Sequence, residues 1–320
     1  MVRRAGAFLL LIVTACSASG PAPLRRSPEP GRAPIATAPD GRVLVLGADD
    51  PEGVAVLSDG RTAVLATRRP GALVVVDLVT AQVRTIALPG AARHLQLQGD
   101  RVLAALEDVD SVATVDVATG TVTTVPVGDH PHDAVAVGGT VVVAEEDGTA
   151  IAFVQGGRVV GRVEHVNFPG GVAAAGDRAA AVEVRGRVLT VVDVAERRLV
   201  AKVPVGAGAT HVVALDGDVV AVADTAGDAV YLVSLAGRPR VLRRVSVPGR
   251  PYGLAHDPVR HLLWVAGSAD NRLHRLTEDG RETGSWATVQ QPNSLAVVPG
   301  TGAVVVAGAT NPGRLEVIVT

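Results

Sequence analysis

Residues Thr114–Val137 read TVDVATGTVTTVPVGDHPHDAVAV, and this stretch decides how the chain folds. A valine-rich run that ends in aspartate leads through a small Thr-Gly turn to a second valine-rich run. A loop with the letters GDHPHD then leads to a third run. Valine favours strands, whereas glycine, aspartate and proline favour the turns between strands. The stretch therefore predicts the end of one antiparallel sheet and the start of the next.

The same pattern returns from Asp50 to the C-terminus at intervals of about 40 residues, which is the size of one four-stranded propeller blade. No stretch after residue 40 has the apolar spacing of an amphipathic helix. The sequence therefore predicts an all-β protein, a seven-bladed β-propeller of four-stranded antiparallel blades over residues 41–320. Comparable positions that open the seven units are Gly53, His94, Asp133, Gly171, His211, Gly253 and Ser294.

The two ends of the repeat region predict that the propeller is closed by its own N-terminal strand. RVLVLGADDPEGVAV at Arg42–Val56 parallels TTVPVGDHPHDAVAV at Thr123–Val137, so the first strand has the pattern of a fourth strand. The last unit stops after its third strand, LEVIVT, at Thr320. Pairing of these two strands removes two unpaired edges that would otherwise invite association, and we expect a monomer.

The opening stretch resembles a YVTN-type repeat, in which a strand ending in aspartate, a Thr-Gly turn and a strand ending in Val-Gly precede a Pro-His pair. The chain is thus similar to YncE-like proteins, which are exported seven-bladed propellers. The resemblance covers residues 41–320 loosely and the second and third blades well. The Tyr-Val-Thr-Asn signature itself is replaced here by VLATRR, VVAEED and VAVADT. The resemblance implies the fold more strongly than any activity.

Residues 1–15 have the pattern of an export signal. Arg3 and Arg4 precede the apolar run Ala5–Val13, which is too short to span a bilayer as a helix. The letters VTAC that end at Cys16 resemble a bacterial lipobox, which implies cleavage before Cys16 and lipidation of this single cysteine. An ordinary secretory signal, with Cys16 incidental, is the alternative, and the arginine pair is also compatible with twin-arginine export.

Residues 16–40 are rich in proline, serine and alanine and have no apolar period. This composition predicts a disordered tether between the lipidated cysteine and the propeller. We therefore expect an extracytoplasmic protein that is lipid-anchored to the cell membrane. A net charge of -2 does not suit a nucleic-acid partner, because such partners require a basic field.

One residue at the start of each inner strand is expected to lie at one mouth of the central channel. In an antiparallel blade, the loops that lead into the first strand lie on the same face as the loops between the second and third strands. We name these seven positions the mouth ring, and all but one carry a polar side chain that we predict to bind ligand. The mouth ring consists of Glu52, Arg93, His132, Gly170, Thr210, Tyr252 and Asn293.

Counting back from the tight turns predicts a second tier of polar groups. The turn Gly138-Gly139 places His132 opposite Glu145, and the turn Gly176-Asp177 places Gly170 opposite Glu183. Imidazole with carboxylates suits a divalent cation, and a carboxylate beside His132 also suits a general base. The alternatives are a solvated rim of mixed charge and a polar ligand pocket without metal. The predicted metal ligands are His132, Glu145, Glu183 and Asp224.

The remaining histidines are expected to have structural surroundings. His94 and His211 stand where other units have glycine, and we expect their imidazoles to be satisfied by backbone groups. Packing or solvent is expected around the four others that lie in outer strands or turns. These are His165, His256, His261 and His274.

The absence of catalytic motifs favours a binding or scaffold module that presents its mouth to a protein or a polar ligand. The sequence has no G-x-S-x-G, H-E-x-x-H, Walker or EF-hand pattern. The alternative is a hydrolase similar to metal-dependent lactonases and gluconolactonases, a resemblance that implies a cation held by Glu52, Asn293 and Asp224. A quinone- or haem-linked dehydrogenase is disfavoured, because the chain has neither a tryptophan ring nor C-x-x-C-H.

Overall fold

Twenty-eight short strands and no helix make up the regular structure of the described residues, 24, 26–36 and 38–320, in this computed structural model. The strands are β1 (Arg42–Val45), β2 (Val54–Val56), β3 (Thr62–Arg68), β4 (Gly71–Asp77), β5 (Val83–Ala87), β6 (Ala92–Gln98), β7 (Arg101–Leu106), β8 (Ser111–Asp116), β9 (Thr121–Pro126), β10 (Pro131–Val137), β11 (Thr140–Glu145), β12 (Ala150–Gln155), β13 (Arg158–Glu164), β14 (Pro169–Ala175), β15 (Arg178–Glu183), β16 (Val188–Asp193), β17 (Arg198–Pro204), β18 (Ala209–Ala214), β19 (Val219–Asp224), β20 (Ala229–Ser234), β21 (Arg240–Ser246), β22 (Pro251–Asp257), β23 (Leu262–Gly267), β24 (Arg272–Thr277), β25 (Glu282–Ala287), β26 (Pro292–Val297), β27 (Val304–Gly308) and β28 (Arg314–Ile318).

These strands form seven sheets of four, each antiparallel throughout. Blades 1 to 6 are the consecutive groups β2–β5, β6–β9, β10–β13, β14–β17, β18–β21 and β22–β25, and blade 7 has the order β26, β27, β28, β1. In blade 7, Arg42 pairs with Val317 and Val45 pairs with Arg314. The predicted blade count, strand count and closure by the N-terminal strand are all confirmed.

The core lies between neighbouring blades, because the middle strands of each blade are buried on both faces. Strands β3 and β4 each contain five consecutive buried residues, which is why they read as continuous runs of valine, leucine and alanine rather than as alternating patterns. The fourth strands are the exposed rim, as the largely exposed β9 and β21 illustrate. Phe153 and Trp264 are the two largest fully buried side chains among the described residues.

A β-bulge interrupts the innermost strand of blades 2 to 7 at the place where the mouth ring was predicted. In blade 3, Pro131 pairs with Glu145 and Asp133 pairs with Ala144, so His132 is an extra residue without a cross-strand partner. Bulges turn a side chain away from the alternation of its strand. The bulged segments are Arg93–His94, His132, Gly170–Gly171, Thr210, Tyr252–Gly253 and Asn293.

Blade 1 reaches the same arrangement through its backbone hydrogen bonds. The Glu52 N–H donates to the carbonyl of Ala66 over 3.1 Å, and the Ala66 N–H donates to the carbonyl of Gly53 over 2.9 Å. Two residues of the inner strand therefore oppose one residue of its neighbour. All seven mouth-ring positions thus coincide with an irregularity in an otherwise regular ladder.

The bulges displace the cross-strand register that we predicted from the turns. Glu145 pairs with Pro131 rather than His132, and Glu183 pairs with Pro169 rather than Gly170. Counting from a tight turn is correct up to the bulge, as the pair Val137 and Thr140 confirms. Beyond the bulge the count is wrong by one residue, because one strand has gained a residue that its partner lacks.

Asp133 joins blade 3 to blade 4 directly behind the mouth ring. Its Oδ1 accepts a hydrogen bond from the N–H of Ala134 over 2.8 Å, and its Oδ2 accepts one from the N–H of Val172 over 2.9 Å. Burial raises the pKa of this carboxyl to about 6, although the two amide donors oppose the change. The hydrogen bonds of Asp133 therefore fix the inner strand of blade 3, next to His132, against blade 4.

Residues 24, 26–36 and 38–40, which the composition predicts to be a disordered tether, contain no strand and lie extended along the mouth face. The Leu24 N–H donates to the carbonyl of Arg185 over 2.7 Å. The Gly31 N–H donates to Oγ of Ser268 over 2.8 Å. Gly31 lies so close to blade 6 that a Cβ atom there would be 2.6 Å from Cβ of Ala269. We call these residues the N-terminal segment.

The predicted signal peptide and the predicted lipidation site Cys16 lie outside the described residues. None of the described residues belongs to a helix that is long and apolar enough to cross a membrane.

Candidate functional site at the mouth of the channel

Polar side chains from blades 1, 2, 5, 6 and 7 surround a cavity of 120 Å³ at the mouth of the channel. Four mouth-ring residues that we predicted to bind ligand are among its walls, and the N-terminal segment contributes one side of it. The lining residues are Glu29, Pro30, Glu52, Arg68, Arg93, His94, His211, Tyr252 and Asn293. The sequence therefore predicted nearly half of this lining, and the structure adds two histidines and a second arginine.

His132 and Thr210, the other two predicted ligand-binding residues, lie behind this lining. The Thr210 side chain is buried, and its Oγ1 lies 2.6 Å from Oγ1 of Thr225, which donates to the carbonyl of Pro251 over 2.7 Å. Thr210 thus links two blades instead of facing the cavity. Gly170 packs against Val184, since a Cβ there would be 2.7 Å from Cγ1 of Val184, and it lies 3.8 Å from the imidazole Nε2 of His132 by the same measure.

The two arginines of the cavity are already paired with carboxylates. Arg93 Nε lies 3.2 Å from Oε2 of Glu52 and 3.0 Å from Oε1 of Glu107, and Arg68 reaches Oε2 of Glu107 over 2.6 Å. The Glu107 side chain is only 1% exposed. Burial raises the pKa of Glu52, although both arginines oppose this change. Arg68 and Arg93 thus balance Glu52 and Glu107, whereas the carboxylate of Glu29, which also lines the cavity, has no arginine or lysine nitrogen within 4.0 Å among the described residues.

Four aromatic rings form a continuous row across the channel. His132 Nδ1 lies 2.8 Å from Oε2 of Glu146, and its Nε2 lies 3.0 Å from Nε2 of His94. The His94 ring packs edge-on against His211 with centroids 4.8 Å apart, and His211 packs against Tyr252 at 4.2 Å. The row therefore connects a half-buried carboxylate to the cavity through three imidazoles.

The imidazoles of His94 and His211 are neutral at pH 7, because burial lowers the pKa of each. Burial lowers the pKa of His94 well below 6.5 and lowers that of His211 to about 3, and the nearby His132 adds to both shifts. Burial also raises the pKa of Tyr252, which keeps its hydroxyl protonated as a donor. Glu146 behaves differently. Burial acts to raise its pKa, but the hydrogen bond and charge of His132 hold that pKa below the usual value.

His211 Nδ1 is a buried polar atom without a hydrogen-bond partner among the described residues. A buried group left in this condition costs about 1–3 kcal/mol. His211 lines the cavity as well as a second pocket in the channel, so a polar molecule that reaches Nδ1 would gain a hydrogen bond that the protein alone does not make.

A wider groove connects the cavity to solvent between the N-terminal segment and blades 1 and 7. The groove has a volume of 960 Å³ and shares Glu29, Pro30, Glu52, Arg68 and Asn293 with the cavity. A molecule can therefore reach the cavity from one side, over the edge of the N-terminal segment.

The four residues that we predicted to be metal ligands are not brought together. Glu145 accepts from the N–H of Gly128 over 2.6 Å and pairs with Arg162, and Glu183 pairs with Lys202 at 2.6 Å. In the described part of the chain, only one set of three metal-ligating side chains has its ligand atoms within 4.8 Å of one another. That set contains none of the four predicted ligands and consists of Asp216, His256 and Glu278. Glu145 and Glu183 hold their own blades together, and the bulge directs His132 to Glu146 instead of Glu145.

Asp224, the fourth predicted ligand, stabilises the loop that leads into blade 5. Its Oδ1 accepts from the N–H of Gly208 over 2.7 Å and of Ala207 over 3.0 Å. Glu52 and Asn293, which the lactonase-like interpretation placed with Asp224 around a cation, both line the cavity, whereas Asp224 does not. The cation set of that interpretation is therefore not assembled in this structure.

The repeat alignment already marked His94 and His211 as unusual, because both stand where other blades have glycine. We expected backbone groups to satisfy them, and the structure instead places them in the ring row. The sequence signal for these two site residues was therefore the replacement of glycine by histidine within the repeat, rather than the chemistry of histidine itself. Arg68 and Glu107 carried no such signal, because they lie at the ends of second strands, outside the mouth ring.

Comparison with solved structures finds the same fold in proteins of unrelated activity. A chain of hydrazine synthase from Kuenenia stuttgartiensis has 18% identity and a TM-score of 0.74 over 87% of this chain and 97% of that one. Virginiamycin B lyase from Staphylococcus aureus has 12% identity and a TM-score of 0.75 over 87% and 98%. A chain of the mitotic checkpoint complex has 15% identity and a TM-score of 0.75 over 98% and 99%.

No model of a known protein family matches the sequence, and no curated protein matches it. The YVTN-type resemblance therefore stays a prediction. At these low identities the structural likeness concerns the fold alone, and the chain is a seven-bladed propeller with structural neighbours that include virginiamycin B lyase.

Proposed function

We propose that the protein is a binding module, tethered to the outer side of the cell membrane, whose mouth takes a small polar ligand. The observation that carries the proposal is the convergence of polar side chains from five blades on one cavity. Elsewhere the neighbouring inner-strand positions are valine, alanine and leucine. The unpaired Nδ1 of His211 supports a ligand with a hydrogen-bonding group, which donates or accepts according to the tautomer of His211.

The size and charge of the cavity narrow the class of ligand. A volume of 120 Å³ suits a molecule, or part of one, with roughly six to eight non-hydrogen atoms. Because both arginines are paired with glutamates and the Glu29 carboxylate is not paired with a cation, the cavity favours a neutral or zwitterionic species over an anion. Tyr252 offers an aromatic edge or face to an apolar part of the ligand. A polar side chain at the tip of a partner protein would meet the same requirements.

The test is a ligand panel on the full-length protein, which contains amino acids, neutral sugars, sugar lactones and small carboxylates at millimolar concentration. We expect zwitterionic or neutral polar compounds to raise the melting temperature by at least about 2 °C and to give saturable NMR binding signals. The variant Tyr252→Ala is expected to lose this response. The matched control is Tyr231→Ala, which removes the only other tyrosine of the chain, in β20.

Three results would count against the proposal or redirect it. No saturable binding of any compound, or equal binding by Tyr252→Ala, contradicts a ligand site in this cavity. Hydrolysis of a lactone in the panel would favour the metal-dependent hydrolase instead. Capture of a partner protein through the mouth, with no small ligand bound, would favour the scaffold role.

The membrane tether is a separate part of the proposal and has its own test. We expect the wild-type protein to fractionate with membranes and to incorporate a labelled fatty acid, because two or more acyl chains give stable anchoring. Cys16→Ser is expected to abolish labelling and to release at least about tenfold more protein into the soluble fraction. Ser17→Ala is the neighbouring control. Equal labelling of wild type and Cys16→Ser would exclude lipidation at this residue.

A further inference from the structure

Two histidines and two carboxylates converge on the face of the propeller opposite the mouth. Asp216 lies in the turn between β18 and β19 of blade 5, and the other three residues belong to blade 6. His256 lies near the end of β22, His261 lies in the turn between β22 and β23, and Glu278 lies in the turn between β24 and β25. These turns share one face of the propeller, because each follows the first or the third strand of its blade.

Three of the side chains, those of Asp216, His256 and Glu278, have ligand atoms within 4.8 Å of one another, and His261 lies beside the two carboxylates. His256 Nε2 lies 2.6 Å from Oε1 of Glu278 and 3.9 Å from Oδ1 of Asp216. His261 Nδ1 lies 2.5 Å from Oδ2 of Asp216 and 3.8 Å from Oε2 of Glu278. One nitrogen of each histidine therefore faces both carboxylates. Asp216, His256 and Glu278 form the only three-residue group of this kind found among the described residues.

The charge of this group is not balanced by arginine or lysine. Across residues 24, 26–36 and 38–320, no arginine or lysine nitrogen lies within 4.0 Å of a carboxylate oxygen of Asp216 or Glu278; their only ion-pair contacts are with His256 and His261. Glu52 and Glu107 at the mouth are different, since each of them contacts an arginine. Two carboxylates paired only with imidazoles attract a cation.

We propose that Asp216, His256, His261 and Glu278 form a binding site for a divalent transition metal, with Zn²⁺ as the preferred ion. Two imidazole nitrogens and two carboxylate oxygens are ligands that zinc takes in tetrahedral sites, with bonds of about 2.0–2.2 Å. Donors in such a tetrahedron are roughly 3.3 Å apart. The present separations of 2.5, 2.6, 3.8 and 3.9 Å lie on both sides of that value. Mg²⁺ and Ca²⁺ prefer all-oxygen sites.

The side chains can reach this geometry by small rotations. The Asp216 and His261 side chains are 43% and 65% exposed, so they are free to adjust. His256 and Glu278, at 10% and 27%, provide the more fixed half of the site. A bound ion would reinforce the contacts that already link Asp216 of blade 5 to His261 and Glu278 of blade 6.

The experiment is calorimetric titration of tag-free, full-length protein with zinc chloride, together with elemental analysis after dialysis. We expect one zinc ion per chain, with a dissociation constant below roughly 10 µM, and at least about 100-fold weaker binding of Mg²⁺ and Ca²⁺. His256→Gln and Glu278→Gln are each expected to weaken zinc binding at least about tenfold. Asp216→Asn changes an exposed side chain and serves as a variant whose fold is not in question.

The matched control is His132→Gln, which changes a histidine–glutamate pair at the mouth. We expect it to bind zinc like the wild type. Anomalous scattering at the zinc edge is expected to place the ion between blades 5 and 6. The proposal is overturned if zinc does not bind, if all three cluster variants bind it normally, or if His132→Gln weakens binding as much as they do. Because the site lies on the other face, the first two outcomes do not affect the proposed ligand cavity, whereas the third would place the zinc site at the mouth.

Discussion

Deleting residues 2–47 is expected to abolish cooperative folding, whereas deleting residues 2–40 is expected to leave a folded propeller. The difference between the two chains is β1 and the residues beside it. Strand β1 supplies the fourth strand of blade 7, and Leu46, only 1% exposed, packs in the core beneath it. Losing a buried leucine costs about 2–5 kcal/mol, and each ladder hydrogen bond adds about 1 kcal/mol. The sum is comparable to the whole stability of an ordinary domain, about 5–15 kcal/mol.

Urea denaturation followed by circular dichroism and tryptophan fluorescence measures this difference. Trp264 and Trp286 both lie in blade 6, next to the closure, so their emission reports on the affected part of the ring. Glu316, which is fully buried and accepts hydrogen bonds from the N–H groups of Gly41 and Val289, also loses a partner in the shorter chain. Coincident unfolding curves for the two deletions would contradict closure by β1.

Lowering the pH from 7 to 4 is expected to destabilise the wild-type protein more steeply than the variant His211→Leu. The pKa of His211 is about 3 in the folded protein and 6.5 as a free side chain. The unfolded chain therefore binds a proton that the folded chain refuses, and stability is lost as the pH falls below about 6.5. A shift of this size corresponds to at most about 4–5 kcal/mol by pH 3. The lowered pKa of His94 acts in the same direction.

The groups that surround His211 do not stabilise its protonated form, so the effect of pH is measured as the difference in stability between wild type and His211→Leu. His94, His132, Arg93 and Tyr252 surround the ring, and none is an anion that would stabilise a protonated imidazole. Stability at each pH is obtained from urea titrations, with His165→Asn as the control, because His165 is exposed. Wild type and His211→Leu falling in parallel would contradict a neutral, buried His211.

The pH profile also contains an opposing contribution from Asp133. Burial raises the pKa of this carboxyl to about 6, so the folded chain gains a proton before the unfolded chain does. Its contribution to stability is complete below the unfolded value of 3.8 and is lost as the pH rises through about 6. Asp133 is unchanged in His211→Leu, so comparing the two proteins removes its effect.

The fold could be predicted because the sequence repeats the same strand and turn pattern about every 40 residues. Each unit has too few residues to bury its own apolar strands, and seven similar units have only one closed arrangement that pairs Arg42–Val45 with Arg314–Ile318. The mouth ring could be predicted for the same reason, since its position in each unit is fixed by the start of the inner strand. The repeat can be recognised from one sequence alone, and it gives both the number of blades and the position of the mouth ring in each blade.

The partners within the site could not be predicted by counting. A bulge adds one residue to one strand, and nothing in the letters PHDAVAV distinguishes a bulged from a regular pairing of His132. The cluster on the other face was missed for a different reason. Asp216 and Glu278 come from turns of two blades and His256 comes from the end of β22, and only the arrangement of neighbouring blades brings them together.

The bulge at the start of each inner strand separates the choice of side chain at the mouth from the packing of that sheet on its neighbour. A regular strand would couple the two. In a regular strand, exchanging one inward residue for another also changes how that sheet packs on its neighbour. Here the residue at the mouth stands outside the regular pairing of its strand, and valines and alanines behind it provide most of the contact between blades. A mouth residue that makes no contact with the next blade, unlike Thr210, can therefore be exchanged with little effect on blade packing, so point substitutions can change the ligand while the fold is kept.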